Sequence, residues 1–192
     1  MGLHQLDTRS DENQVTADFF TVDFRITATA VVGKQRLVDV LSDQRSDYLD
    51  LIEIYVSRID EPAKIVNTFP NGTLAKERII LVLLPTLVEG VVKEEQFFTK
   101  TKKGHLQLSA PIQDTFSIFI TLPSFNINGK LIWRRKLDTT MIMAIQEKRF
   151  LPIFDVTVHN SQSPEINFKG PIVLVNKAKV EILCADDTAE AE

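Results

Sequence analysis

Short runs in which apolar and polar residues alternate occupy much of the chain. The segment 115–122 (TFSIFITL) has Phe116, Ile118, Ile120 and Leu122 at every second position, which places them on one face of a strand. Runs of this kind end at glycine or proline and are rich in Val, Ile, Thr and Phe, as is typical of strands. The pattern predicts a mainly β fold.

The same order of apolar runs occurs twice along the chain. Residues 24–33 match residues 125–133 at an offset of 101, and residues 48–56 (YLDLIEIYV) match residues 150–158 (FLPIFDVTV) at an offset of 102. A single inserted residue between the two runs accounts for the change of offset. We interpret the two segments as an internal duplication.

A short helix is expected in the middle of each repeat, where the apolar period changes from two to about 3.6 residues. The helical positions are Leu37, Val40 and Leu41 in the first repeat and Leu137, Met141, Ala144 and Ile145 in the second. Asp138 or Thr139 is suited to cap the second helix, because both side chains accept hydrogen bonds from free amides.

A polar turn and a final apolar strand complete each repeat. The turns are predicted at 58–73 and 159–170, and the final strands at 78–83 and 172–183. Asn71-Gly72 is interpreted as a hairpin turn, because both residues tolerate a positive φ. Each repeat is therefore expected to read strand, short helix, strand, turn, strand.

These patterns predict two related small β-barrel modules, each with a short helix. The expected boundaries are an acidic flexible tail at 1–18, a first module at 19–85, bridging strands at 86–124, a second module at 125–184 and a second acidic flexible tail at 185–192. Both tails are short, polar and poor in apolar residues, so that burial does not offset the entropy of ordering them.

The composition indicates a folded protein in a reducing compartment. Hydrophobic residues make up 44% of the chain and charged residues 25%, as in ordinary globular domains. Cys184 is the single cysteine; it rules out an internal disulfide and is interpreted as a small apolar filler of a strand. The segment 1–18 lacks the pattern of a secretion signal, and the longest apolar run, 79–84, is too short to cross a bilayer. We expect a cytoplasmic protein with no membrane partner.

The net charge of −4 conceals a basic stretch. Residues 1–18 carry −3 and residues 184–192 carry −4, which leaves +3 for the rest of the chain. Between positions 100 and 136, the sequence has seven Lys and Arg residues and a single acidic residue, Asp114. With an aromatic residue for base stacking, this stretch supplies a candidate nucleic-acid site, formed by Lys100, Lys102, Lys103, Lys130, Trp133, Arg134, Arg135 and Lys136.

A structural interpretation of the same stretch is favoured over the nucleic-acid site. Lysines in solvated turns protect strand edges against aggregation, and Trp133 is equally suited to a core. Phe150 and Phe154 are likewise interpreted as core or module-interface residues.

No group of residues in the sequence indicates a reaction. Nucleophile-elbow, P-loop, dinucleotide-binding and zinc-protease motifs are missing. His4, His105 and His159 are scattered along the chain and form no local metal site. Asp155 and His159 lie four residues apart on one strand and are interpreted as a surface pair, whereas a deep pocket holding both would favour an enzyme. We predict no catalytic residue, no cofactor and no metal.

The repeats resemble an uncharacterised bacterial family of tandem small β-barrel modules, itself distantly Sm-like and PilZ-like. The resemblance rests on residues 36–41 (RLVDVL) and on Tyr48-Leu49 in the first repeat. The second repeat keeps Phe150-Leu151 but lacks the Arg-Leu-x-Asp motif. The resemblance implies a fold and no activity, and the Arg-x-x-x-Arg and Asp-x-Ser-x-x-Gly motifs of cyclic dinucleotide receptors are not assembled here.

Two functions from different classes follow. The leading hypothesis is a non-catalytic binding or assembly protein that acts through a surface with another protein or with itself, because repeated strands with free edges favour symmetric or edge-to-edge association. The alternative is an RNA or single-stranded DNA binder that uses the basic stretch 100–136.

Overall fold

The computed structural model describes residues 13–85, 114–133, 137–145 and 148–186. The strands are β1 (Asn13–Phe20), β2 (Phe24–Gly33), β3 (Tyr48–Arg58), β4 (Ile65–Ala75), β5 (Leu81–Leu84), β6 (Asp114–Leu122), β7 (Phe125–Trp133), β8 (Phe150–Asn160), β9 (Asn167–Asn176) and β10 (Ile182–Ala185). Two α-helices, α1 (Leu37–Ser42) and α2 (Thr139–Ala144), and two single-turn 3-10 helices, Lys76–Arg78 and Lys177–Lys179, lie between them. The prediction of a mainly β fold with two short helices is confirmed.

All ten described strands belong to one antiparallel sheet. Their order across the sheet is β10-β6-β7-β8-β9-β5-β1-β2-β3-β4. The first five strands of the chain thus lie on one side of the β5·β9 ladder and the last five on the other. Each half has its strands in the same relative order.

The prediction of closed barrels is wrong, because the sheet is open. Closing the first half on itself requires a strand of that half to pair with the second edge of β5. That edge is instead paired with β9, through the four residue pairs from Leu81↔Val175 to Leu84↔Ile172. The β5 edge therefore joins the two halves rather than closing one of them.

Two hydrophobic cores form on opposite sides of the β5·β9 ladder. The first core contains side chains of β1, β2, β3 and α1, and the second contains side chains of β6, β7, β8 and α2. Leu81 and Leu83 point into the second core, whereas Val82 and Leu84 point into the first. Because successive side chains of a strand alternate between faces, β5 belongs to both cores at once.

Both helices form where they are predicted, but the predicted face of α2 is wrong, because Ile142 is its buried residue whereas Met141 is 51% exposed. A lysine side chain hydrogen-bonds to the C-terminal end of each helix. The Oδ1 of Asp138 caps α2 by accepting a hydrogen bond from the Met141 amide at 3.0 Å. At the C-terminal end of α1, the Lys76 ammonium donates to the carbonyl oxygens of Val40 (2.6 Å) and Asp43 (3.1 Å). In the same way, the Lys177 ammonium donates to the carbonyl oxygens of Ile142 and Ile145 after α2. Burial lowers the pKa of both lysines, as expected for a charge removed from water.

Three local predictions differ from the structure, and the first is the turn predicted at 58–73, which is strand β4 from residue 65 onwards. Asn71 and Gly72 lie inside β4, paired with Ile52 and Leu51. A Cβ at Gly72 would stand 2.9 Å from the Ile54 Cδ1, so this glycine is required by close packing rather than by a turn. The predicted final strand 172–183 is divided into β9, a 3-10 turn and β10.

Two strands lie in segments that are predicted as a tail and as a bridge. Residues 13–18, assigned to the acidic tail, lie in β1, where Val15 and Ala17 are buried. β6 lies in the predicted bridge 86–124 and pairs with β7 and β10 of the second half. Residues 86–113 lie outside the described residues.

We expect Lys76→Met to lower the free energy of unfolding by about 1–3 kcal/mol, because the part-buried carbonyls of Val40 and Asp43 lose the ammonium donor. Chemical denaturation measures the change. The matched control is Lys64→Met, whose ammonium forms an exposed pair with Glu61 at 3.1 Å and whose loss should cost less than about 1 kcal/mol. Equal effects of the two substitutions would contradict the proposed role of Lys76.

Candidate interaction surface

Strands β4 and β10 are the two outermost strands of the sheet in the described part of the chain. Each pairs with a described strand on one side only, β4 with β3 and β10 with β6. The unpaired side of such a strand carries a row of N–H and C=O groups that a further strand is able to satisfy.

The β4 edge is long and carries exposed apolar side chains. β4 has eleven residues, none of which is fully buried. Ile65 is 56% exposed, Val66 41% and Phe69 50%. Large apolar residues at an unpaired strand edge are typical of a surface that contacts another chain.

The β10 edge borders a groove of about 330 Å³. We call it the β10 groove; its lining residues are Ser117, Ile118, Phe119, Asn128, Gly129, Lys130, Asp155, Thr157, Cys184, Ala185 and Asp186. Ile182 is 54% exposed on β10, and Phe119 is 38% exposed on the neighbouring strand. The groove therefore combines an apolar side at β10 with a polar side on β7 and β8.

An exposed ion pair lies on the polar side of the β10 groove. The Lys130 ammonium is 3.4 Å from the Asp155 carboxylate, and both side chains are more than half exposed. A pair this accessible to water contributes little stability. Both groups therefore stay available to a ligand or a partner that enters the groove.

The structure describes only part of the candidate nucleic-acid site. Lys130 lies in the β10 groove, and Trp133 is buried in the second core, as the core interpretation of this residue requires. The remaining six basic residues, Lys100, Lys102, Lys103, Arg134, Arg135 and Lys136, lie outside the described residues. The nucleic-acid site stays a prediction.

In the described part of the chain, the groove holds only one member of the Asp155 and His159 pair. Asp155 lines the β10 groove but His159 does not. Among the residues with described positions, no three His, Cys, Asp or Glu side chains are grouped as metal ligands would be. None of the helices in the described ranges is long and apolar enough to span a bilayer.

The interpretation of Cys184 as a small apolar filler is wrong. The thiol is exposed at the edge of the groove. It is exposed because β10 is the outermost strand of the sheet and no described residue covers its outward face. Sequence alternation identified the strand but did not indicate that it lies at an edge.

No family model, curated protein or solved structure matches this chain. The likeness to tandem Sm-like and PilZ-like modules stays a prediction.

We expect Cys184 to react fully with a thiol reagent in the dilute native protein, because its side chain is exposed. Absorbance after addition of an aromatic disulfide reagent at submicromolar protein measures the reaction. The rate should lie within about tenfold of that in denaturant; reaction only after unfolding would contradict the exposed position.

Proposed function

We propose that this chain is a non-catalytic binding or assembly protein that associates with another protein or with itself through the edges of its sheet. The observation that carries the proposal is the exposed apolar character of both outer strands, with Phe69 and Val66 on β4 and Ile182 on β10. Main-chain groups at a strand edge give affinity, and the side chains beside them give specificity.

We also propose that the two halves are duplicated modules. The pairing registers support this. Phe24 pairs with Arg58 across β2 and β3, and Phe125 pairs with Asn160 across β7 and β8. Phe24 and Phe125 are separated by the predicted offset of 101, and Arg58 and Asn160 by the predicted offset of 102. The pairs Phe20↔Leu81 and Thr121↔Ile182 are also equivalent, and both of their members are separated by 101 residues.

Local backbone conformation supports the duplication independently. Glu53 and Asp155, 102 residues apart, both have positive φ, at 53° and 48°. In each case the ladder with the preceding strand shifts register at that point. A positive φ is uncommon for a residue with a side chain, so its occurrence at matching positions favours a common origin.

The two lysines that contact the helix ends provide a third line of support. Lys76 and Lys177 are 101 residues apart, and each ammonium donates hydrogen bonds to two carbonyls at the end of the preceding short helix. The acceptors are Val40 and Asp43 in one half and Ile142 and Ile145 in the other, and their positions differ by 102. Two halves that keep so unusual a contact are expected to share one fold.

The duplication bears on function because the chain already joins two modules by edge pairing. Residues 81–84 of the first half and 172–175 of the second form an antiparallel ladder, and all eight residues are buried. An edge of each module is thus suited to receive another module. The outer edge of β10 corresponds to the β5 edge of this ladder, and the outer edge of β4 corresponds to the β9 edge.

The test is the molar mass of the purified chain by size-exclusion chromatography with light scattering, over a range of concentrations. We expect the mass to rise with concentration. Phe69→Lys on β4 and Ile182→Lys on β10 should each weaken association at least tenfold, because a charge is placed where an apolar contact forms. Val22→Lys is the matched control, since Val22 is 55% exposed in the turn between β1 and β2.

A chain that stays monomeric up to millimolar concentration and also retains no partner in a pull-down, or edge variants that associate like the wild type, would overturn the proposal. Recording the ratio of absorbance at 260 and 280 nm in the same run tests the alternative. Co-purifying nucleic acid that salt releases would favour the basic stretch instead.

A further inference from the structure

We propose that the occupant of these edges is a second copy of the chain, bound head to tail. Strand β10 of one copy adds to β4 of the next in antiparallel orientation, with Ile182 opposite Leu74 and Ala185 opposite Asn71. This inference rests on the proposed function and names its partner and register.

The internal β5·β9 ladder serves as the template. At an offset of 101, the counterpart of β5 is β10 and the counterpart of β9 is β4. The internal pairs run from Leu81↔Val175 to Leu84↔Ile172. Adding 101 to the residues of β5 and subtracting 101 from those of β9 gives the register stated above, in which residues 182–185 lie opposite residues 74–71.

A proline limits the ladder at the same place on both receiving strands. Pro171 directly precedes the four residues of β9 that pair with β5, and Pro70 occupies the matching position in β4. Proline has no N–H to donate and ends the pairing of a strand edge. Since β9 accepts a four-residue partner beside its proline, Pro70 leaves the same length of β4 free to do so.

The pattern of exposure on β10 matches a strand with one covered face. Leu183 and Ala185 pack against the second core of their own half. Ile182 and Cys184 are exposed, and their counterparts Leu81 and Leu83 are buried against the neighbouring half. The exposed side chains are thus those that a following module would cover.

The strand that carries the larger side chain differs between the two junctions. The larger side chain lies on β5 at the internal junction and on β4 at the proposed one. At the internal junction Leu83 lies over Gly170, where an added Cβ would stand 2.8 Å from the Leu83 Cδ1 and 3.0 Å from the Leu84 oxygen. The counterparts are the smaller Cys184 and the larger Phe69. The aromatic ring that would clash with Leu83 finds room beside Cys184, with the two strands slightly further apart there.

The β10 groove is suited to receive this ring. Cys184, Phe119 and Ala185 line it, and Phe119 pairs with Cys184 across β6 and β10. In the first half, the matching face meets the second half through the Arg25 guanidinium, which lies 5.5 Å from the centre of the Phe168 ring. A face that is covered by the adjoining half in one module is open in the other.

The proposed junction is more polar than the internal one and should be reversible. The internal ladder places Ile172 and Leu174 against the first core, whereas the matching positions of β4 are Asn71 and Thr73. Fewer apolar side chains are removed from water, so less free energy is gained. Each added copy also leaves one β4 edge and one β10 edge free, which gives a ring or a filament rather than a closed dimer.

Mixing two singly blocked variants tests the direction of pairing. Phe69→Lys blocks the β4 edge and Ile182→Lys blocks the β10 edge, so each alone should be monomeric. Together they retain one intact β4 edge and one intact β10 edge. We expect an equimolar mixture to give a species of twice the chain mass that does not grow further, whereas Val22→Lys should assemble like the wild type.

Failure of the mixture to form this species, while the wild type associates and both variants do not, would overturn the head-to-tail arrangement and leave the proposed function standing. A monomeric wild type would overturn the second copy as the occupant, and a pull-down that also retains no partner would overturn the proposed function with it. Pairing of two β4 edges gives a different result, because Ile182→Lys would then associate like the wild type, and that result would also overturn the head-to-tail arrangement.

A disulfide tests the register. In the triple variant Thr73→Cys, Leu183→Cys and Cys184→Ser, the two new thiols lie directly opposite across the proposed ladder, within the Cα separation that a disulfide requires. The control is Thr73→Cys alone, which pairs the new thiol with Cys184 one position away, on the opposite face. We expect a series of linked multiples for the triple variant on non-reducing gels and at least tenfold less for the control; equal yields would overturn the register.

Discussion

The ladder between β5 and β9 is the contact on which the rest of the molecule depends. Four residues from each strand are paired, and their side chains alternate between the two cores. Without this ladder, each half would be a five-stranded sheet with an aliphatic strand exposed along one edge. Because both faces of β5 and β9 are covered, their sequences are continuous apolar runs instead of alternating ones, as in strands buried on both sides. The same pairing holds the sheet open, since it occupies the edge that closure would need.

Lysine has an unusual structural role in this fold. Helices α1 and α2 have six residues each, which is too short for a helix to be stable by itself in water. Their last carbonyls point into the protein, where an unpaired acceptor is costly. Lys76 and Lys177 enter from the turn after the fourth strand of each half and satisfy these carbonyls. Each lysine thereby ties its helix to the turn after the fourth strand of the same half, although burial lowers the pKa of both ammonium groups.

Much of the fold could be predicted because the pattern that specifies it is local. Residues separated by the predicted offsets of 101 and 102 occupy equivalent positions in the β2·β3 and β7·β8 ladders, and the capping role of Asp138 follows from its position. The choice of partner for an edge is not local, so an open sheet could not be distinguished from two barrels. The continuous run 79–84 did carry a signal, since burial on both faces implies a neighbour beyond the module. Gly72 was misread because close packing and turns both favour glycine, and Cys184 because alternation does not indicate which strand is outermost.

The candidate surface differs from the interior in degree rather than in kind. Both ladder positions that face the first core on β9 are aliphatic, and both of their counterparts on β4 are polar, Asn71 and Thr73. On β10, Ile182 remains apolar and Cys184 replaces a leucine. This gradient has a physical consequence. A strand edge as apolar as β5 favours aggregation when it is left unpaired, whereas the outer edges combine apolar and polar side chains. A further strand at these edges would remove fewer apolar side chains from water than the internal ladder does, so it would gain less free energy from burial.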